Sequence, residues 1–236
     1  MIRAVIFDWG GTLTPWHEID LLAQWYAYAE IYDPVNAASL AARLRDAEMH
    51  RWRVQLLSNG QTSTGALDRI FMDEGIDLDG ELHQQALQNY LRFWDPHTLA
   101  DPQAESLLQA LRADGLAIGV LSNTLWPRTH HEAVFERDGL LPLIDAAAYT
   151  SEMPMAKPHV EAFATIARML QVHPHEAVFV GDRIWDDILG AQQAGMKAIH
   201  IPHSRIPNEQ VPDASAVPDA VIGELVEVLE IVRGWR

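Results

Sequence analysis

Short apolar runs bounded by polar or glycine residues recur along the chain, at Arg3 to Asp8, Leu116 to Ser122, Ile144 to Thr150, Ala177 to Gly181 and Lys197 to Pro202. Each is too brief for a helix and carries no alternation, the pattern of a strand buried on both faces. Between most of them lie stretches with apolar residues at three- and four-residue spacing: Pro102 to Ala113, Val160 to Leu170, Asp186 to Ala194 and Ala220 to Val232. That spacing predicts helices, and the alternation predicts an α/β domain in which helices cover both faces of a parallel sheet. From Trp16 to about His97 the alternation stops. Ile19 to Ile31, Ala37 to Leu57, Ala66 to Met72 and Leu82 to Phe93 are helically periodic with no strand between them, which predicts an inserted helical unit over 16–97 within a core made of 1–15 and 98–236. Pro15 marks the entrance, and Asp95-Pro96 and Asp101-Pro102 bracket the exit, since proline disfavours helix in the residue before it. His203 to Pro218 is proline-rich and predicts a surface loop.

Composition narrows the function classes. At 236 residues and 48% apolar content the chain can bury a sizeable core and is not a disordered protein. It has no cysteine, which excludes disulfides, zinc thiolate sites and a cysteine nucleophile. Only a four-residue apolar run precedes Asp8, far short of a secretory signal, and no later run spans a bilayer, so an unexported cytoplasmic protein with no membrane partner is expected. Seventeen basic against 33 acidic residues give a formal charge of −16, which repels nucleic acid and anionic membranes. A small anionic substrate would therefore need a locally positive site, such as a metal ion.

In an open parallel sheet ligands bind beyond the carboxyl ends of the strands, and the residues there are chemically suggestive. The first predicted strand ends in Asp8-Trp9-Gly10-Gly11-Thr12, and the second in Ser122-Asn123-Thr124. The third leads towards Lys157-Pro158, and the fourth ends in Gly181-Asp182 with Asp186 and Asp187 close behind. Each has a plain explanation by itself: a strand-end aspartate caps helices, paired glycines make a tight turn, a lysine is usually solvated, and Asp186 and Asp187 suit a helix N-terminus. Their joint order brings a nucleophilic carboxylate, a hydroxyl with an amine, and an acidic metal site to one crevice.

These segments resemble the haloacid dehalogenase-like hydrolases, specifically the members with a cap inserted after the first motif. Val5-Ile6-Phe7-Asp8-Trp9-Gly10-Gly11-Thr12-Leu13 resembles motif one, Gly119-Val120-Leu121-Ser122-Asn123-Thr124 motif two, Lys157-Pro158 motif three, and Val180 to Ala191 motif four. The resemblance implies a Rossmann-like core with a helical cap domain over 16–97, and a Mg²⁺-dependent hydrolase acting on a small phosphorylated metabolite. It further implies that Asp8 attacks phosphorus to form an aspartyl-phosphate, and that Asp8, the Gly10 carbonyl, Asp182 and Asp187 hold the cation. Asp186 is the alternative to Asp187 in an outer shell. Ser122, Asn123 and Lys157 would bind the phosphate, with Ser122 and Lys157 also assisting the transfer. An oxygen-rich ligand set suits Mg²⁺, which offsets repulsion between a carboxylate and a phosphate ester.

One position departs from the family's phosphatases. They usually carry a second aspartate two residues after the nucleophile, to protonate the leaving group and then activate water, and here that residue is Gly10. Acid–base help of this kind is worth about 10²–10⁴-fold in rate. Three readings follow: a phosphatase whose acid comes from elsewhere, with His17 and Glu18 as candidates; a carbon–halogen hydrolase, disfavoured by the extra carboxylates; or a slow phosphate-binding regulator. The eleven histidines include no H-E-x-x-H pair, so they fit packing or surface roles better than a zinc site. Of the eight tryptophans, Trp16, Trp25, Trp52 and Trp94 fall in or beside the insertion, where cap–core packing competes with an apolar specificity pocket. No nucleotide-binding glycine loop or serine-hydrolase elbow occurs.

Overall fold

The computed structural model describes residues 1–202 and 215–236. Most of the loop expected at His203 to Pro218 lies outside them. Six parallel strands form one sheet in the order β3-β2-β1-β4-β5-β6, with β1 at Ala4–Phe7, β2 at Ala117–Ser122, β3 at Ala146–Tyr149, β4 at Ala177–Gly181, β5 at Lys197–His200 and β6 at Ala220–Val221. The chain winds outward from β1 to β3 on one side, then returns to pair β4 with β1 on the other. The strand order therefore reverses beside β1, and the crevice beyond its carboxyl end is the natural ligand position.

All four residues of β1 are buried, and alternate ones serve opposite faces of the sheet. Val5 and Phe7 join a large apolar cluster, whereas Ala4 and Ile6 join a second one with Phe163 and Phe179. Helices α5 (Ala104–Ala113), α6 (Arg128–Arg137), α7 (Val160–Met169), α8 (Gly190–Gln193) and α9 (Val228–Gly234) complete the core. Two expectations are corrected here. The stretch Ala220 to Val232 does not begin as a helix: Ala220–Val221 pairs with β5 as an edge strand, and helix starts only after the Gly223 turn. The expected helix from Asp186 opens instead as a π-helical turn over Ile184–Leu189 before α8.

Four further helices precede α5 on the way from β1 to β2: α1 (Leu21–Tyr32), α2 (Ala37–Leu57), α3 (Asp68–Asp73) and α4 (Glu81–Phe93). Asp20 starts α1 by accepting hydrogen bonds from the Leu22 and Ala23 amides at 2.9 and 3.1 Å, supplying partners that the first helical turn lacks. Trp25, Tyr28, Phe71 and Tyr90 of these helices are fully buried and belong to the same apolar cluster as Val5 and Phe7. The Asp101 amide bonds the Leu13 carbonyl at 2.8 Å, so the chain leaves and re-enters the core at adjacent points. Among the described residues, no helix is long and apolar enough to cross a membrane.

Phe163 packs edge-on against Phe179 at 5.0 Å and sits where a side chain on Gly190 would otherwise point. Phe163→Ala should lower the free energy of unfolding by about 3–5 kcal/mol, the usual range for a buried aromatic truncation, as measured by urea titration.

Candidate active site

Asp8 follows β1 directly, its amide bonded to the Val180 carbonyl of β4 at 2.9 Å. Beyond it the chain turns back sharply: the Trp9 carbonyl accepts from the Thr12 and Thr14 amides, and Gly11 takes a positive φ of 90° that a side chain would resist. Ser122 is the buried last residue of β2. Asn123, next to it, has its side chain committed elsewhere. Its Oδ1 accepts from the Lys157 amide at 3.0 Å and its Nδ2 donates to the Lys157 carbonyl at 3.1 Å. The Asn123 side chain thus splints Lys157, leaving the Asn123 main chain as the part able to face a ligand.

Lys157 is 2% exposed, and its Nζ donates to Asp8 Oδ1 and Asp187 Oδ1, both at 2.6 Å. Residues 149 and 30 positions apart in sequence are joined in this way. Asp187 arrives through the π-helical turn, whose widened loop lets the Asp187 and Ile188 amides share the Arg183 carbonyl. Its Oδ2 accepts from the Arg183 amide at 2.9 Å. Gly181 makes room, because a Cβ there would lie 2.4 Å from the Asp187 carboxyl. Carboxylate oxygens of Asp8, Asp182 and Asp187 all fall within 4.8 Å of one another, and a buried, all-oxygen donor set of this size fits a hard divalent cation. Asp186 is turned towards Arg183, 3.6 Å away, so Asp187 and not its neighbour completes the acidic trio.

The electrostatics follow from burial. Burial favours the neutral form of Asp8 and Asp187 adds repulsion, so the Asp8 carboxyl is raised above the ordinary aspartate range despite Lys157. Burial works against a charged Lys157, but the two carboxylates outweigh it and hold the ammonium above the ordinary lysine range. Asp186 is pushed up to about 6 by burial, against the opposing pull of Arg183.

Of the two proposed substitutes for the missing acid, both His17 and Glu18 are exposed, and the His17 ring packs on His97 at 5.2 Å. Arg183 escaped notice in the sequence although it lies within the fourth motif. Its guanidinium stacks over Trp16 at 5.0 Å, tying the acidic loop to the entrance of the insertion. A cation inside an acidic motif was the available signal, but its aromatic partner lies 167 positions away.

The family model for haloacid dehalogenase-like hydrolases matches residues 2–195, and the chain belongs to that family of hydrolases. The chain is 27% identical to a glyceraldehyde 3-phosphate phosphatase of Methanopyrus kandleri, across 99% of this chain and 98% of that one. Its fold superposes on a HAD phosphatase from Thermococcus onnurineus with a TM-score of 0.68 at 22% identity, covering 99% of each chain. A 2-haloacid dehalogenase from Pseudomonas syringae pv. Tomato is similar over the whole of both chains, with a TM-score of 0.65 and 27% identity.

Because the folded state holds a proton on Asp186 more tightly than the unfolded chain does, its contribution to stability is complete below about pH 4 and is lost as pH rises through about 6. Asp186→Asn lacks this titration. In cation-free buffer its urea stability should therefore gain on the wild type's between about pH 4 and about pH 7. A difference independent of pH would contradict the assignment.

Proposed function

We propose that the chain is a Mg²⁺-dependent phosphatase of small phosphorylated metabolites, with 1–15 and 98–236 forming the catalytic core and 16–97 a cap domain. The observation that carries this reading is Lys157 held at 2.6 Å from both Asp8 and Asp187, beside the Asp8, Asp182 and Asp187 oxygens. Asp8, Asp182, Asp187 and the Gly10 carbonyl would hold the cation. When bound, it supplies positive charge that lowers the repulsion between a carboxylate and a phosphate and keeps Asp8 ionised.

A carboxylate oxygen of Asp8 attacks phosphorus. The new O–P bond gives an aspartyl-phosphate as the bond to the ester oxygen breaks and the alkoxide departs, taking its proton from solvent. The Ser122 hydroxyl and the Asn123 main chain bind phosphoryl oxygens, and Lys157 offsets their charge. Water then cleaves the acyl phosphate, freeing inorganic phosphate and regenerating Asp8. With glycine at position 10, no side chain there delivers the leaving group's proton. The similarity to a curated phosphatase over nearly the full length of both chains favours this chemistry.

Carbon–halogen hydrolysis is the second reading, favoured by Gly10 and by the haloacid dehalogenase relative. The carboxylates of Asp182 and Asp187 weigh against it, because without a cation they repel a haloacid.

Phosphate release from a panel of monoesters should require Mg²⁺ and vanish in Asp8→Asn, while a panel of 2-haloacids yields no halide. Metal-independent halide release would transfer the assignment to the second reading. A Cβ at Gly10 meets nothing within 4 Å, so an aspartate can enter without displacing a neighbour. Gly10→Asp should raise kcat on alkyl phosphates by up to about 10²-fold, and an unchanged kcat in a folded variant would show that protonation of the leaving group is not limiting.

A further inference from the structure

The position of Lys157 depends on what holds its backbone, and one of those supports comes from the connection between α2 and α3. The amide of Ala156, the residue before Lys157, donates to the Gly60 carbonyl at 2.8 Å. Gly60 is buried and takes a positive φ of 73°. A Cβ there would lie 2.2 Å from the Ala156 carbonyl oxygen and 3.1 Å from the His159 amide nitrogen, whereas atoms in favourable contact stand about 3.5 Å apart. Only a residue without a side chain lets the two segments close on one another in this way.

Neither partner has slack. The Gly60 amide donates to the Gln55 carbonyl at 3.1 Å, and the buried Gln55 side chain accepts from the Thr64 amide at 3.1 Å, which pins the turn to the end of α2. Further along, the Ser63 amide donates to the Pro154 carbonyl at 3.0 Å and the Ser63 hydroxyl to the Met153 carbonyl. On the opposite side Ala156 is fully buried, and its carbonyl accepts from the His159 amide at 2.8 Å at the start of α7. The main-chain groups of Lys157 are both held by Asn123. A push on Ala156 is therefore delivered to Lys157, because close-packed interiors yield little. At the far end of that side chain the ammonium stands 2.6 Å from two carboxylates, and a shift of about 1 Å would break both hydrogen bonds.

We propose that Gly60 is a positioning residue for Lys157, so that the amine is placed by Asn123 on one side and by the α2–α3 connection on the other. This rests on the phosphatase reading above for the work that Lys157 does, and adds a residue outside the four strand-end motifs that sets where it does it. The proposal has a distinctive electrostatic signature. Between Asp8 and Asp187 the ammonium competes with a divalent cation and attracts an anion. Once drawn back, it leaves the pocket more attractive to Mg²⁺ and less attractive to phosphate. A loss of packing that leaves Lys157 in place has no reason to move the two affinities in opposite directions.

The test measures Mg²⁺ binding, inorganic phosphate binding with saturating Mg²⁺, and Mg²⁺-dependent monoester hydrolysis, all in the full chain, with binding followed by calorimetry. Gly60→Ala should weaken phosphate by about tenfold, leave Mg²⁺ bound at least as tightly as in the wild type, and lower kcat by up to about 10²-fold. Gly65→Ala is the matched control: Gly65 has a φ of 72°, but its Cβ would meet only the ends of the Arg51 and Arg69 side chains, at 4.0 Å. It carries the same backbone cost and should stay within about twofold of the wild type in all three measurements. Ser63→Ala removes one hydroxyl bond without adding bulk, and should show the same opposed shifts at about two- to threefold. It decides the matter should Gly60→Ala fail to fold. Parallel weakening of Mg²⁺ and phosphate, unchanged affinities, or equal effects of Gly60→Ala and Gly65→Ala would overturn the proposal. Absence of Mg²⁺-dependent phosphate release by the wild type would instead remove the phosphatase reading, while the opposed binding shifts would still decide whether Gly60 places Lys157.

Discussion

A single buried ammonium organises the acidic pocket at the end of β1. Lys157 lies between the carboxylates of Asp8 and Asp187, and three remote stretches of chain meet at it. Two carboxylates taken out of water this close together would repel each other and one would protonate, whereas a cation between them keeps negative charge in place. The compensation is partial. Asp8, Asp182, Asp186 and Asp187 are four acidic groups facing two cations, Lys157 and Arg183, so the pocket retains a formal charge of about −2 that a divalent ion would neutralise.

The sheet contributes placement. Because β1 pairs with β2 on one side and β4 on the other, Asp8, Ser122 and Asp182 leave their strands side by side on the same edge. The finer adjustments belong to connecting segments. The Asn123 amide fixes the Lys157 backbone at two points, and the bare Cα of Gly181 admits the Asp187 carboxyl. Both are small features whose effect is to hold a charged side chain in one orientation before any ligand arrives, which is the condition for electrostatic help in catalysis.

Much of this was legible in the chain because the strands are short, uninterrupted apolar runs and because reactive residues cluster where those runs end. The four helices before α5 were also visible, since apolar residues recur there at helical spacing and no strand-like run intervenes. What escaped was set by long-range packing. Ala220 and Val221 form a strand only because the edge of β5 is available to them, and periodicity alone cannot distinguish so short a segment from the start of a helix. The choice between Asp186 and Asp187 depended on one widened helical turn, for which the local sequence carries no distinctive pattern. Of the tryptophans of the insertion Trp25 is fully buried, and Trp52 and Trp94 pack half-buried against the same apolar cluster, but the convergence of their N–H groups on Glu48 and around Tyr90 required the tertiary fold.

The contact between the Asp101 amide and the Leu13 carbonyl has a wider consequence. By closing the core at the base of the insertion, it makes the excursion between these points topologically independent of the sheet, much as a domain spliced into a surface loop leaves its host's ends together. Descendants of such a chain can lengthen, shorten or exchange the excursion and so explore new substrates, while the strands that align the reactive groups remain as they were. That freedom is restricted by the aromatic contact of Trp94 with Trp126 and by the main-chain bonds that join Gly60, Ser63 and Leu67 to Ala156, Pro154 and Leu125, which any replacement would have to rebuild.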